Sequence, residues 1–397
     1  MRPGLLEPGA RVAIAGAGCS GSSLAAELLA RCPGIRVSIY DPAPRPNLQR
    51  IWCSWEVDQH RFTRAVSKRW TKIAVRSPSG QTVIDTPACP YACVRAEDFF
   101  AAADDMLSVP DCTVHRGTAV ERIDEHDTGV DLTLRTPEGE VSRRAYALVF
   151  DGRPPAAGTD KDRREPMLLQ HFGGVELDTS ATPADAATAT LMDFRVSQEH
   201  GSHFMYVLPF SQERVLVEST FITPSVGAGI DYEGNALAYA RDELGLDTSR
   251  VVYRESGVLP MTLRPLGQKP TARVWPIGTR AGIARASSGY AFHAIQRDTR
   301  RVVDALLEGR ADRPGPPRSR LLGAMDRALL SLLSNDQSAA PNVFGQLFAG
   351  CAPDRLVRFL ADVPRPLDYV AVMLAMPKLD VAGHVLSHPS SWPRVVR

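Results

Sequence analysis

A surplus of charge of either sign is the first thing this chain lacks. Its 397 residues carry 46 Lys and Arg against 45 Asp and Glu. That near-cancellation leaves no global field to recruit nucleic acid or a strongly acidic substrate. A disulfide framework is missing too: the seven cysteines (Cys19, Cys32, Cys53, Cys89, Cys93, Cys112, Cys351) are odd in number and scattered. Cys89 and Cys93 lie four apart without a second ligand pair, which argues against zinc. His200 and His203 have no third ligand nearby, so hydrogen-bonded or exposed side chains are expected there rather than a metal pair. No apolar run approaches the roughly 20 residues of a membrane helix. The opening MRPGLLEPGARVAIAGAG shows no basic stretch, long apolar region and cleavage site in series. The expectation is a soluble body in a reducing cytoplasm, long enough for two or three domains with a sizeable core.

Glycine is present in an informative order. RVAIAGAG is an apolar strand ending in glycines, CSGSSLAAELLARCPG a small-residue helix closing on Gly34, and VSIYD a second strand ending in Asp41. The unit contains Gly16-x-Gly18-x-x-Gly21 with an acid 20 residues after the last glycine. Gly16 allows the tight turn, Gly18 a close approach of pyrophosphate to backbone, and Gly21 close packing of helix on strand. The helix N-terminus favours phosphate charge, and Asp41 is placed to accept from ribose hydroxyls. A dinucleotide site is therefore expected.

The runs HRGTAVERI, VDLTLRT and VSRRAYALVFDGR read as successive strands, the last apolar and ending in Asp151-Gly152. A meander inserted before such a strand is more typical of FAD-binding folds than of NAD-only ones, an analogy at the level of fold. A second glycine turn follows the strand VWPIG, and a long amphipathic helix is expected from about Tyr290 with Ser287 or Ser288 as N-cap. Between these units lie the strand-like runs LLQHFGGVEL, ATATLMDFRV, HFMYVLPF, RVLVESTFIT and VVYRESGVLPM. Beyond the PGPP stretch at 314–317 the periodicity turns helical. The expected organisation is a Rossmann-like α/β FAD-binding domain over 1–163, a β-rich substrate domain over 164–263, a return to the first domain over 264–313 and a helical region over 314–397. Residues 71–96 are assigned either to the first unit or to the substrate sheet.

These segments together resemble the FAD-dependent lycopene cyclases, the carotenoid β-ring-forming family, over nearly the whole chain. The likeness rests on GAGCSG, RIWCSWE, YACVRAEDF, VFDGR, ESGVLPM, IGTRAGIARASSGYAF and, most specifically, MDFRVSQEHGSHFMYVLPFSQERVLVEST. The resemblance implies aromatic-hydroxylase-like flavoprotein architecture. It implies FAD held through Gly16, Gly18, Ser20, Gly21 and Asp41, and again around Gly278, Gly282, Gly289 and Tyr290. It further implies that Glu218 is the catalytic acid and that the flavin works reduced, with NAD(P)H as an external reductant, in an isomerisation without net redox change.

The residues support that role independently. A carbon–carbon double bond is a very weak base, so its proton donor must be neutral. A glutamic acid among Val215, Val217, Phe221 and neighbouring aromatics has its pKa raised by desolvation. The carbocation then needs a dry site with aromatic faces, for which Phe204, Tyr206, Phe210, Phe292 and Trp275 are candidates. Glu255 is read either as a flavin or substrate contact or as an ordinary salt-bridge residue, and Asp193 as orienting the site or closing a turn. Two departures from the family pattern bear on the substrate: Ser219 replaces a second acid, and ASSGY replaces a turn with proline and threonine. A shorter polyprenyl chain thus stands beside a carotenoid as substrate. A flavin hydroxylase or polyprenyl reductase is the rival, disfavoured by Gly278-Thr279 where those enzymes usually carry Gly-Asp. The segments LVRFLADV and DYVAVMLAMP form either an apolar rim on a bilayer or a buried helical layer.

Overall fold

A computed structural model describes residues 7–154, 165–264, 266, 269–310, 312–316 and 318–377. The apolar run Arg11–Ala15 forms the centre of a five-stranded parallel sheet. Arg36–Asp41 then Cys112–Arg116 lie on one side of it, Leu148–Asp151 then Val274–Pro276 on the other. The strand order therefore reverses beside the first strand, where ligands of open α/β sheets bind. The helices Cys19–Arg31, Ala96–Leu107 and Phe292–Leu307 cover one face through Leu24, Leu28, Phe99, Val302 and Val303. The three-stranded meander of Ala119–His126, Gly129–Arg135 and Val141–Tyr146 covers the other, burying Val130, Leu132 and Tyr146 against Ala13, Ala15 and Val149.

The second layer is a seven-stranded sheet. Its order is Val251–Thr262, Met167–Asp178, Arg214–Thr223, Ser202–Ser211, Thr188–Asp193, Lys72–Ser77, Gly80–Asp85. Every pairing is antiparallel except that of Thr188–Asp193 with Lys72–Ser77. The strands at 72–85 thus join this sheet, while Tyr91–Arg95 pairs with Ile51–Trp55 and Val66–Trp70 in a small sheet of its own. The helix Tyr232–Asp242 packs on one face over Val175, Leu177, Met205, Val207, Val215 and Val217.

The helical periodicity after the proline stretch is realised as Arg320–Asn335, Ala340–Gly350, Pro353–Leu360 and Pro366–Ala375. These helices do not form a separate body. Leu330, Leu333 and Phe344 pack on Leu168, Phe204, Ile222 and Met261 of the large sheet. A buried ionic knot joins them to the second glycine turn. Arg285 donates to Asp326 Oδ1 at 3.0 Å and to the Phe359 carbonyl, and Arg318 donates to the carbonyls of Gly282, Ile283 and Ala284.

The expected serine cap is corrected here. The long helix begins at Phe292 with Ala291 in the cap position and no side-chain capping bond. Ser287 instead donates to Asp326 Oδ1 at 2.7 Å, where the buried Arg285–Asp326 pair needs further hydrogen bonds.

Candidate active site

One continuous cavity of about 970 Å³ runs from the first glycine loop to the face of the seven-stranded sheet opposite Tyr232–Asp242. That is the upper end of the usual size for a small-molecule site. Its first arm is built by Gly16, Gly18, Ser20, Gly21 and Asp41, all of which line it. Gly16 has φ 108°, which L side chains rarely adopt, and a Cβ on Gly21 would lie 1.9 Å from the Gly16 carbonyl oxygen. A Cβ on Gly18 would meet nothing within 4 Å, so that backbone faces open space. The helix starting at Cys19 has no side-chain cap and no acid in its first turn. Its free amides therefore suit an anion. Asp41 accepts from the amides of Ala17 (2.7 Å) and Ala43 (2.9 Å), which closes the loop and leaves each oxygen room for a second donor. Arg45, Arg50, Arg116 and Arg153 also line this arm. Their signal in the sequence was only an arginine pair in DPAPRPNLQR after the acid. Glycine backbone, uncapped helix and arginines together fit the diphosphate and ribose of a dinucleotide.

The second turn approaches the same cavity. Gly278, Gly282 and Gly289 have φ of 59°, 68° and 69°, and a Cβ on Gly278 would press within 3.0 Å of Ser20. All three, with Thr279 and Tyr290, line the cavity. Such a backbone fits the flat ring system of a flavin better than a single glycine loop would, so the donor set agrees with FAD.

The far arm is the sheet face. Paired residues in antiparallel strands point the same way, so register alone assembles a row: Tyr206 opposite Glu218, Glu218 opposite Gly174, Gly174 opposite Glu255. The next row is Phe204, Thr220, Phe172 and Gly257, followed by Gln170 between Ile222 and Leu259. Glu218 is 7% exposed and Glu255 9%. Thr220 donates to Glu218 Oε1 at 2.5 Å. Burial pushes the Glu218 carboxyl up to about 7, against the opposing effect of the Thr220 bond. Glu255 is raised by burial first and then by the neighbouring Glu218, and Arg95 opposes the rise.

The surroundings of Glu218 differ from those expected. Val215, Val217 and Phe221 lie on the other face of the sheet, because positions an odd number apart alternate sides of a strand. Phe221 is stacked between His171 and His203, and Ser219 accepts or donates at 3.0 Å with His203 Nε2. Ser219 is thus remote from the cavity, and its substitution for an acid does not alter the lining. His203 also contacts the Ser197 carbonyl at 2.9 Å, whereas His200 is exposed. The cavity's dryness comes instead from Leu191, Met192, Phe172 and Phe204 of the sheet, and from Phe344, Leu347, Phe348 and Phe359 of the C-terminal helices.

Of the expected aromatics, Phe204, Tyr206, Tyr290 and Phe292 line the cavity and two do not. Phe210 lies farther along its strand, beneath Arg95 at 4.0 Å and against Trp70. Trp275 is fully buried against Phe150 in the parallel sheet, since its short strand pairs there. Tyr91 was missed: its hydroxyl bonds Tyr206 at 3.0 Å and donates to Tyr290 at 3.1 Å. Burial pushes the Tyr290 phenol up to about 12 and the other two upward, so the triad presents neutral rings. Asp193 closes a turn, accepting from the Arg195 amide and guanidinium and from Tyr239, and lies outside the lining.

The family model described as lycopene cyclase protein matches residues 11–384. A lycopene beta-cyclase from a Paracoccus species is 29% identical over 380 residues, covering 87% of this chain and 84% of that protein. A lycopene beta-cyclase from Pantoea ananas is 27% identical over 300 residues, 72% of each chain. A geranylgeranyl bacteriochlorophyll reductase-like protein from Thermoplasma acidophilum superposes with a TM-score of 0.60 at 10% identity, over 96% of this chain and 99% of its own. HpxO from Klebsiella pneumoniae, solved with FAD and uric acid, gives 0.57 at 16% identity over 94% and 99%. The two structures share the fold of this chain.

Proposed function

This chain belongs to the lycopene cyclase family, and from that premise we propose that it is an FAD-dependent, non-redox cyclase that protonates the end group of a carotenoid polyene and closes a ring through a carbocation. The observation that carries the reading is Glu218: a buried carboxyl with no cation paired to it among the described residues, raised to about 7, facing an apolar cavity continuous with the glycine loops. Thr220 occupies Oε1 as donor, so the transferable proton belongs on Oε2. Protonation of the terminal double bond forms a C–H bond and a tertiary cation. The neighbouring double bond attacks it and closes the ring, and loss of a ring proton restores neutrality. The faces of Phe172, Phe204, Tyr206 and Phe292 stabilise the cation by their quadrupoles, and the apolar wall keeps water from capturing it.

Gly16, Gly18, Ser20, Gly21 and Asp41 would hold the diphosphate and ribose end of FAD, and Gly278, Gly282, Gly289 and Tyr290 its ring end. When bound and reduced, the cofactor supplies an electron-rich ring beside the cavity; NAD(P)H serves as its external reductant. A polyene hydrocarbon resides in lipid, and the helix Pro366–Ala375 offers an exposed stripe of Leu367, Val370 and Leu374, whereas Leu356, Val357 and Phe359 before it are buried. Among the described residues no helix is long and apolar enough to cross a membrane, so contact through that stripe would be peripheral.

The test is anaerobic incubation with reduced FAD and either lycopene or shorter polyprenyl substrates. Cyclised lycopene of unchanged mass supports the proposal, and turnover of the shorter chains alone moves the substrate assignment. Product formed only with stoichiometric oxygen or NAD(P)H identifies a hydroxylase or reductase instead.

A further inference from the structure

Resting on that reading, we infer that Glu218 and Glu255 form a dyad sharing one proton, in which Glu218 starts the cyclisation and the ionised Glu255 ends it. The geometry comes from Gly174. It is the register partner of Glu218 on one neighbouring strand and of Glu255 on the other, so both carboxylates rise from the same face with a glycine between them. A Cβ at Gly174 would lie 3.1 Å from Glu218 Cβ and 3.3 Å from its Cγ, so any side chain there would crowd Glu218 on the side that faces the strand of Glu255. Both line the same cavity and both are buried. Two such carboxylates in one dry site resist ionising together, and their proton belongs to the pair.

The charged and titratable groups around the pair assign the roles. Arg95 is held on Glu176 at 2.9 Å and over Tyr253, two residues before Glu255 on its strand. Its charge favours the ionised form of Glu255, against burial, Glu218, Cys53 and Glu176, which all disfavour it. On the other side Glu218 faces neutral Tyr206 and, among the described residues, is bonded by Thr220 alone. Of the two acids only Glu255 feels a cation among the described residues, so the proton is best used from Glu218 and the negative charge best kept on Glu255.

The cycle balances without an oxidant. The Oε2–H bond of Glu218 breaks as the new C–H bond forms, and the alkene pair closes the ring. A C–H bond next to the cation then breaks, its electrons form the ring double bond, and its proton goes to Glu255. Transfer of that proton back across Gly174 resets the dyad.

The test compares wild type with Glu255→Gln, both loaded with FAD. The position of the ring double bond depends on which base removes the proton. Glu255→Gln is therefore expected to yield ring isomers or a hydrated product in place of a single ring, with turnover down at least tenfold. Removing the like charge also lowers the affinity of Glu218 for its proton. The infrared carbonyl band of the neutral Glu218 carboxyl is thus expected to titrate at lower pH in the variant. Where Glu255→Gln fails to bind flavin, Glu255→Asp substitutes, with the same product pattern expected in weaker form. An unchanged product and an unchanged titration overturn the dyad while leaving the cyclase proposal standing. A shifted titration with an unchanged product overturns the role of Glu255 as base. Loss of cyclisation in wild type itself fails the cyclase proposal, and the infrared titration still reports on the pair.

Discussion

Two pairs of buried carboxylates in the seven-stranded sheet meet opposite treatment. Glu176 and Asp193 are 1% and 0% exposed, and each is clamped by guanidinium groups. Glu176 accepts from Arg95 and Arg214 at 2.9 Å each. Asp193 accepts from Arg195 at 2.7 Å and from the Tyr239 hydroxyl at 2.6 Å. Burial pushes Asp193 up, yet these bonds prevail and hold it below the ordinary carboxylate range. Glu218 and Glu255 are about as buried, but Glu218 has one threonine for company and both are raised. Burial alone does not make an acid. Burial without a paired cation favours holding a proton, and the two carboxylates without one face the cavity, where the pair keeps a proton that Glu176 and Asp193 do not need.

The largest effect expected is on turnover. Glu218→Gln keeps shape and hydrogen bonding but has no acidic proton, so cyclisation falls on the order of 10³-fold, while flavin absorbance of the purified protein is unchanged. Stability moves in the other direction. Between about pH 4.5 and about pH 7 the folded protein keeps a proton on Glu218 that the unfolded chain has released. Wild-type stability therefore falls across that window and levels off above it. Thermal unfolding at pH 8 is expected to show Glu218→Gln more stable than wild type by about 3 kcal/mol, with the difference vanishing near pH 4. The same substitution at Glu176 has the opposite sign: it weakens two charged hydrogen bonds and costs about 2 kcal/mol at pH 7, read by denaturant unfolding. Thr220→Val removes the bond that favours ionised Glu218. It shifts the alkaline limb of the activity profile to higher pH by a fraction of a unit. Smallest of all, Leu374→Asp on the exposed stripe reduces co-sedimentation with liposomes while leaving activity on detergent-dispersed substrate intact.

The glycine loops and the acid could be read from the chain because each is local. Gly16, Gly18, Gly21 and Asp41 meet within one strand–helix–strand unit, and Glu218 stands out as a charge inside an apolar run. What surrounds Glu218 could not be read that way. Glu255 reaches it only because Met167–Asp178 pairs with strands on both sides, a long-range choice that local propensity does not encode. The opposite orientation of Val215, Val217 and Phe221 follows from the alternation of a strand, in which closeness in sequence does not mean a shared face. Phe210 and Trp275 show the same limit: an aromatic in the right segment still needs the right position along its strand. Helical periodicity after residue 319 identified the C-terminal helices, but not that Phe344, Leu347 and Phe348 would wall the cavity or that Asp326 would be tied to Arg285.

The proposed cyclisation requires Glu218 to be a neutral acid at the pH where it works. Infrared difference spectra of the FAD-loaded protein, wild type minus Glu218→Gln, measure it directly. A protonated-carboxyl carbonyl band is expected at pH 6 that disappears with a midpoint near 7 and is absent from the variant. A wild-type spectrum without that band at pH 6, with Glu218 ionised throughout, would contradict it.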